Sequence, residues 1–177
     1  SVAVKDGIGA AAISRMVETG DGDEDILEGA VVTFDIATGD VLDTYTVGFL
    51  PDMVTFTPDG GKILVANEGE PDDFGDDPGG VSIIDVATGT VQNANFRSFD
   101  PDKEQLSADG VRIFPDGNGG LIDPSLDFEP EYITVSADGT KAFVALQEAN
   151  AVAVLDIANG VFLEIQPLGT IDHSLPG

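Results

Sequence analysis

The side chains of this sequence that could do chemistry are mainly carboxylates, grouped in short motifs with amides and a single histidine. The groups are Asn67-Glu68-Gly69-Glu70, Glu129-Pro130-Glu131, Gln147-Glu148-Ala149-Asn150 and Asp172-His173. Carboxylate and amide oxygens bind hard cations, calcium first and then magnesium or manganese. His173 could add a nitrogen ligand or serve as a general acid. Divalent-metal binding is therefore the chemistry that these residue types favour.

Composition excludes several other functions. The chain has 177 residues, of which 42% are hydrophobic, enough for one domain with a packed core. Its 33 acidic residues against 7 lysines and arginines give a charge of −26, which argues against a nucleic-acid partner. The absence of cysteine excludes disulfides, zinc-thiolate sites and iron-sulfur clusters. No apolar run is long enough to span a membrane.

Standard catalytic motifs do not occur in the sequence. It contains no nucleophile elbow, no P-loop, no dinucleotide-binding fingerprint and no HExxH zinc motif. Any catalysis would therefore depend on the acidic groups described above.

A short apolar segment that ends in a glycine turn occurs three times and indicates a repeat fold. The copies are VVTFDIATG (31–39), VSIIDVATG (81–89) and VAVLDIANG (152–160). A hairpin sequence with an Asp-Gly turn occurs twice, starting at Pro51 and at Pro130. Four short antiparallel strands per repeat are typical of a β-propeller blade. An all-β sandwich is the alternative.

The repeats predict an all-β fold, a single partial β-propeller over residues 1–177 with two whole four-stranded blades and part of a third. The parts are part of blade 1 at 1–47, blade 2 at about 48–95, an insertion at about 96–127, blade 3 at about 128–168 and the start of the next blade at 169–177. In blade 1 we expect Ser1–Val4 to form a second strand and residues 5–29 to be an insertion. Propellers close with roughly four to eight blades, so we expect remaining blades or other chains to complete a larger propeller.

Propeller geometry would bring the acidic groups to one opening. The first strand of a blade lines the channel, and its start lies beside the end of the second strand because a tight turn joins them. Asp52 lies on this face, and the predicted metal ligands there are Glu68, Glu70, Glu129, Glu131, Glu148, Asp172 and His173. Calcium is the expected ion, and a second divalent ion or an iron ion could accompany it. The alternative is a solvated acidic rim, because a chain of charge −26 exposes carboxylates on any loop.

Three other segments are acidic or glycine-rich. Residues 21–29 lack the spacing of an EF-hand loop, and we expect a solvated loop there. Residues 71–80 contain Asp72, Asp73, Asp76 and Asp77, which could either clamp calcium together with Glu68 or Glu70 or be solvated. Residues 115–120 are predicted to form a flexible turn.

Several motifs, in their order along the chain, resemble those of the choice-of-anchor I bacterial surface proteins. They are NEGEP (67–71), GVRIF (110–114), EPEY (129–132), QEAN (147–150) and DHSLPG (172–177). The likeness covers roughly residues 30–177, and the first 29 residues, which include an Ala-rich and acidic stretch, depart from it. The resemblance implies a YVTN/LVIVD-type propeller that is secreted or on the cell surface and binds metal. Some members of the family are labelled alkaline phosphatases.

Two functions fit these observations, and the sequence leaves open whether the protein is an enzyme. The preferred one is a non-enzymatic surface, matrix or adhesion protein whose propeller is stabilised by calcium. The alternative is a metal-dependent phosphoester hydrolase, similar to calcium-dependent alkaline phosphatases and propeller phytases, with catalytic residues Glu129, Glu131 and His173. A bound metal would then have to attract the anionic substrate, because the acidic motifs contain no lysine or arginine.

Overall fold

The computed structural model describes residues 1–18, 24–69 and 78–170, and the strands in them form three four-stranded antiparallel sheets. Within each sheet, strands that follow one another in the chain are neighbours, as in a propeller blade. The strands of blade 1 are β1 (Val2–Lys5), β2 (Ile8–Glu18), β3 (Glu24–Asp35) and β4 (Val41–Phe49). Those of blade 2 are β5 (Pro51–Phe56), β6 (Lys62–Asn67), β7 (Gly80–Asp85) and β8 (Val91–Asn95). Those of blade 3 are β9 (Tyr132–Val135), β10 (Lys141–Leu146), β11 (Ala151–Asp156) and β12 (Val161–Pro167).

The blades pack face to face, with blade 2 between the other two. Side chains along a strand point alternately to its two faces, and β6 is apolar on both. Ile63 and Val65 belong to the core shared with blade 1, whereas Leu64 and Ala66 belong to the core shared with blade 3. All four side chains are fully buried. The first strands of the three blades, β1, β5 and β9, lie next to one another along the inner edge.

The Asp-Gly hairpin turns of blades 2 and 3 are built in the same way. Asp59 accepts hydrogen bonds from the Thr57 hydroxyl at 2.6 Å and from the Gly61 N–H at 3.0 Å. Asp138 accepts the equivalent bonds from the Ser136 hydroxyl at 2.7 Å and from the Thr140 N–H at 3.0 Å. These bonds favour the charged carboxylate and lower the pKa of Asp138 to about 2. The repeated Asp-Gly sequence therefore forms the same turn hydrogen bonds in both blades.

The segment between blades 2 and 3 contains a 3-10 helix (Arg97–Asp102) and the helices α1 (Lys103–Asp109) and α2 (Pro124–Asp127). Phe96, just before this segment, is fully buried. Its ring stacks on Phe162 of β12 with centroids 4.1 Å apart and meets the edge of Phe128 at 5.4 Å. This aromatic cluster attaches both ends of the segment to blade 3. None of the described helices is long and apolar enough to cross a membrane.

The prediction of a partial β-propeller is confirmed, but blade 1 is more complete than the sequence indicates. Ser1–Val4 was expected to supply a second strand, whereas Val2–Lys5 is the first strand, and the expected insertion at 5–29 contains all of β2 and the start of β3. Alanine and glycine disfavour strands, which hides β2 in the sequence. Pairing with β1 and β3 on both sides overrides that preference. A side chain on Gly9 would overlap the Phe34 ring, which would then have to move.

We expect the substitution Phe96→Ala to lower the free energy of unfolding by about 3–5 kcal/mol, because it empties a closed aromatic contact. The matched control is Phe114→Ala. Phe114 is 44% exposed, with the Arg112 guanidinium 5.4 Å from its ring centroid, so the expected loss is below about 1 kcal/mol. Urea unfolding of the two variants measures both effects. Equal losses would show that Phe96 does not anchor the segment.

Candidate metal centre

Backbone pairing at the start of blade 2 places Asp52 beside Glu68. Pro51 of β5 is opposite Asn67 of β6 in the antiparallel register. The pairing continues beyond the strands, because the Glu68 N–H donates to the Leu50 carbonyl at 3.0 Å. The two acidic residues therefore lie at the same end of the hairpin, as the sequence predicts.

Glu131 reaches the same place from blade 3. It comes directly before β9, and its N–H donates to the carbonyl of Ala145 in β10 at 3.1 Å. The loop after β6 and the chain entering β9 lie close together because residue 79 is a glycine. A side chain on Gly79 would overlap the carbonyl oxygens of Phe128 and Glu68. This close backbone approach brings the acidic residues of the two blades together.

The site consists of three carboxylates from two blades. One oxygen each from Asp52, Glu68 and Glu131 lies within 4.8 Å of the other two, with Asp52 exposed and the two glutamates half-buried. Like charges this close repel one another unless a cation lies between them. Calcium binds oxygens at 2.3–2.6 Å, so two ligands across the ion are at most about 5 Å apart. The spacing is therefore compatible with one ion that contacts all three groups.

The structure assembles part of the predicted ligand set. Glu68 and Glu131 are in the three-carboxylate group, together with Asp52, which the sequence places on this face without making it a ligand. Glu129 and Glu148 are not part of the group. The remaining predicted ligands, Glu70, Asp172 and His173, lie outside the described residues, as do Asp72, Asp73, Asp76 and Asp77. Metal binding itself remains a prediction.

Glu148 contacts an arginine instead. Its carboxylate lies 3.6 Å from the Arg112 guanidinium, which also donates through Nε to the Glu148 carbonyl oxygen. The Arg112 N–H donates to the Ala149 carbonyl at 2.8 Å. The acidic QEAN segment is thus held by the basic residue of GVRIF. Sequence reasoning missed this pair because nothing in the spacing shows that the 96–127 segment folds back onto blade 3.

A carboxyl group with a raised pKa lies near this arginine. Burial of Asp127 raises its pKa to about 6, although the Phe114 N–H, which donates at 3.3 Å, and the charge of Arg112 act in the opposite direction. The negative charge of Glu148 adds a smaller upward contribution. Its hydrogen bond with the Phe114 N–H joins α2 to the GVRIF motif within the segment.

Comparison with known proteins identifies the family. The family model of the choice-of-anchor I domain matches residues 1–176. This chain belongs to the choice-of-anchor I family. The match includes the first 29 residues, which the sequence motifs alone had suggested depart from the family. Family membership and the propeller fold support a surface-type protein of this family. No curated protein matches the chain.

Solved structures with a similar fold are larger propellers. The chain is similar to hydrazine synthase from Kuenenia stuttgartiensis, with a TM-score of 0.54 and 16% identity, over 91% of this chain and 47% of that one. It is also similar to the β-propeller domain of the Trilobed protease from Pyrococcus furiosus, with a TM-score of 0.51 and 12% identity, over 94% of this chain and 42% of that one. At these identities the likeness shows the fold alone. The chain spans less than half the length of either structure.

We predict that Asp127 makes stability fall as pH rises from about 4 to about 6. Its pKa is higher in the folded state than the ordinary value of 3.8, so between these values the folded protein holds a proton that the unfolded chain releases. Asp127→Asn should remove this loss, which we expect to be about 1–2 kcal/mol after allowance for partial solvation. Thermal unfolding of both proteins between pH 4 and pH 7 measures the difference. The exposed Asp102→Asn is the control, and parallel pH profiles for all three proteins would contradict the prediction.

Proposed function

We propose that this chain is part of an extracellular or cell-surface propeller that binds a divalent cation, calcium by preference, at Asp52, Glu68 and Glu131. The observation that carries the proposal is the meeting of carboxylates from two blades within 4.8 Å. An ion bound there would join the hairpin of blade 2 to the chain entering blade 3, and would replace repulsion by attraction at their contact. The ion would then stabilise the arrangement of the blades.

Two properties of the site support a structural role for the ion. All three members of the group are acidic, so the group itself offers no positive charge to hold a phosphate group. Three protein ligands leave half or more of the calcium coordination sphere to water, a condition that favours weak binding. Weak sites are filled in the extracellular medium, where modules commonly bind calcium in the submillimolar to millimolar range. This agrees with a surface location.

The two outer blade faces support completion of the propeller by further blades. Phe143 of β10 is 40% exposed, although Leu64 at the same position of the repeat is fully buried against blade 3. On blade 1, Val2 and Val4 of β1 are 64% and 58% exposed. Three blades are fewer than the roughly four needed to close a propeller. We propose that remaining blades, of the same protein or of other chains, cover these faces.

Calcium should raise the thermal stability of the protein, and the gain should depend on the three carboxylates. At a calcium concentration one hundred times the Kd, we expect a stabilisation of about 2.7 kcal/mol. Glu68→Gln and Glu131→Gln should each remove most of it, because each replaces a charged ligand by a neutral one of the same shape. Glu104→Gln, on exposed α1, should leave it unchanged. The measurement is thermal unfolding against calcium after dialysis into metal-free buffer, and an equal shift in all four proteins would refute the site.

The hydrolase alternative predicts a different pattern. A metal-dependent phosphatase should hydrolyse p-nitrophenyl phosphate in the presence of calcium, manganese or iron. It should lose turnover in Glu131→Gln while its melting temperature at saturating calcium changes little. We expect no turnover above that of free metal in the wild-type protein. Turnover that disappears in Glu131→Gln but persists in Glu104→Gln would replace the structural role by an enzymatic one.

A further inference from the structure

The pairing registers of the three blades can be aligned residue by residue. In every blade the aspartate that ends the third strand is paired with the residue that begins the second strand. These pairs are Asp35 with Ile8, Asp85 with Lys62 and Asp156 with Lys141. Counting along the strands from these pairs identifies equivalent positions, and side chains two residues apart share a face. The environment of one position can therefore be compared between blades.

The face by which blade 2 contacts blade 3 is built from two cross-strand pairs of apolar residues. Leu64 of β6 is paired with Ile83 of β7, and Ala66 is paired with Val81. All four side chains are buried in the core between the two blades. We call this side of a blade, which is directed towards the following blade, its trailing face.

Blade 3 has a trailing face of the same construction at the end of the stack. At the equivalent positions Phe143 of β10 is paired with Val154 of β11, and Ala145 is paired with Val152. Phe143 is exposed and the other three are partly exposed. Tyr132, which is paired with Ala145, is also exposed. This face is therefore an apolar blade contact without the burial that its equivalent has in blade 2.

The face by which blade 2 contacts blade 1 has its own counterpart at the other end of the stack. We call this side, which is directed towards the preceding blade, the leading face. In blade 2 it includes Val54 and Phe56 of β5 with their partners Val65 and Ile63 of β6, all packed in the core shared with blade 1. It is the opposite side of the same sheet from the trailing face.

The leading face of blade 1 is apolar and exposed. At the equivalent positions Val2 is paired with Ala11 and Val4 is paired with Gly9, and Phe34 of β3 is paired with Gly9 from the other side. Both valines are exposed, and Ala11 and Phe34 are partly exposed. The stack thus ends in a leading face at blade 1 and in a trailing face at blade 3.

These two end faces are of the two kinds that contact each other inside the stack. Both internal interfaces join the trailing face of one blade to the leading face of the next. A second copy of the chain offers the matching face at each end. Two surfaces of different kinds on one chain make a head-to-tail contact, which closes into a ring where the rotation between copies allows it.

We propose that the trailing face of blade 3 binds the leading face of blade 1 of a second copy of this chain, and that two copies close one ring. Two copies of three blades supply six, within the roughly four to eight with which propellers close, whereas three copies supply nine. The chain spans 42% of the Trilobed protease propeller domain, so two copies have about the length of one whole propeller. The inference rests on the proposed completion of the propeller by further blades and names the partner.

Sedimentation velocity of the chain, in metal-free buffer and in calcium, tests the inference. We expect a dimer of twice 18.3 kDa whose fraction rises with protein concentration. Added sodium chloride should strengthen the association, because each copy carries a charge of −26 and salt screens the repulsion between copies. A chain that stays monomeric at every concentration in high salt would overturn the inference. A mass of three or more copies would overturn the two-copy ring.

One substitution on each face tests where the copies meet. Phe143→Asp and Val4→Asp should each weaken the dimer by roughly tenfold or more, because an unpaired charge would be buried in both interfaces of the ring. Phe114→Asp is the matched control, since Phe114 has a similar exposure and lies outside both faces. Circular dichroism checks the fold of the three variants. Dimers that persist in both face variants would overturn the assignment of the faces.

Mixing the two face variants separates head-to-tail pairing from symmetric pairing. A mixed pair has one interface with both substitutions and one interface with neither. The mixture should therefore form dimers at a concentration at which neither variant does so alone. If blade 3 contacted blade 3 of the second copy instead, Val4→Asp would dimerise like the wild-type chain, and this result would overturn the head-to-tail arrangement.

The same measurements keep this inference apart from the proposed cation site. A monomer whose melting temperature still rises with calcium through Glu68 and Glu131 would overturn the second copy and leave the cation site in place. A dimer whose stability does not respond to calcium would support the second copy and refute the cation site.

Discussion

The structure depends on the burial of both faces of each blade. A sheet that is apolar on two sides is stable only between two neighbours, and β6 shows this most clearly, because successive side chains enter different cores. Ile63 and Leu64 are adjacent in sequence and fully buried on opposite sides. The repeat therefore cannot fold one blade at a time without leaving apolar surface in water. Blade stacking is the source of stability, and it also fixes where the loops meet.

Polar residues gather where stacking brings loop backbones close together. Gly79 allows contact between the loop after β6 and the chain entering β9, and Gly48 makes room for Asn67 beside blade 1. At both places a missing side chain lets polar groups from two blades approach each other. In a chain of charge −26, the three carboxylates that meet between blades 2 and 3 concentrate negative potential. The cation that we propose at Asp52, Glu68 and Glu131 would relieve the repulsion among these three carboxylates.

The segment between blades 2 and 3 is held against blade 3 by aromatic packing and by an ion pair. Phe96 and Phe128, at the two ends of the segment, contact each other, and Phe96 stacks on Phe162 of blade 3. Arg112, which lies between α1 and α2, holds the QEAN segment by an ion pair and two hydrogen bonds to backbone oxygens. The charge of the Glu148 carboxylate is thus balanced by the Arg112 guanidinium of the same chain. Between blades 2 and 3, by contrast, carboxylates from the two blades lie within 4.8 Å of one another.

The sequence by itself determined the blade repeat, because apolar periodicity and Asp-Gly turns depend only on residues close together in the chain. It also placed Glu68 and Glu131 on one face, because hairpin pairing follows from turn length. Only the tertiary structure decided that Asp52 joins them, that Glu148 pairs with Arg112 instead, and that Asn67 is buried beside Gly48 of blade 1. These depend on contacts between residues far apart in the chain, which spacing does not encode. Blade 1 shows the same limit, because pairing on both sides of β2 overrides the weak strand preference of its alanines and glycines.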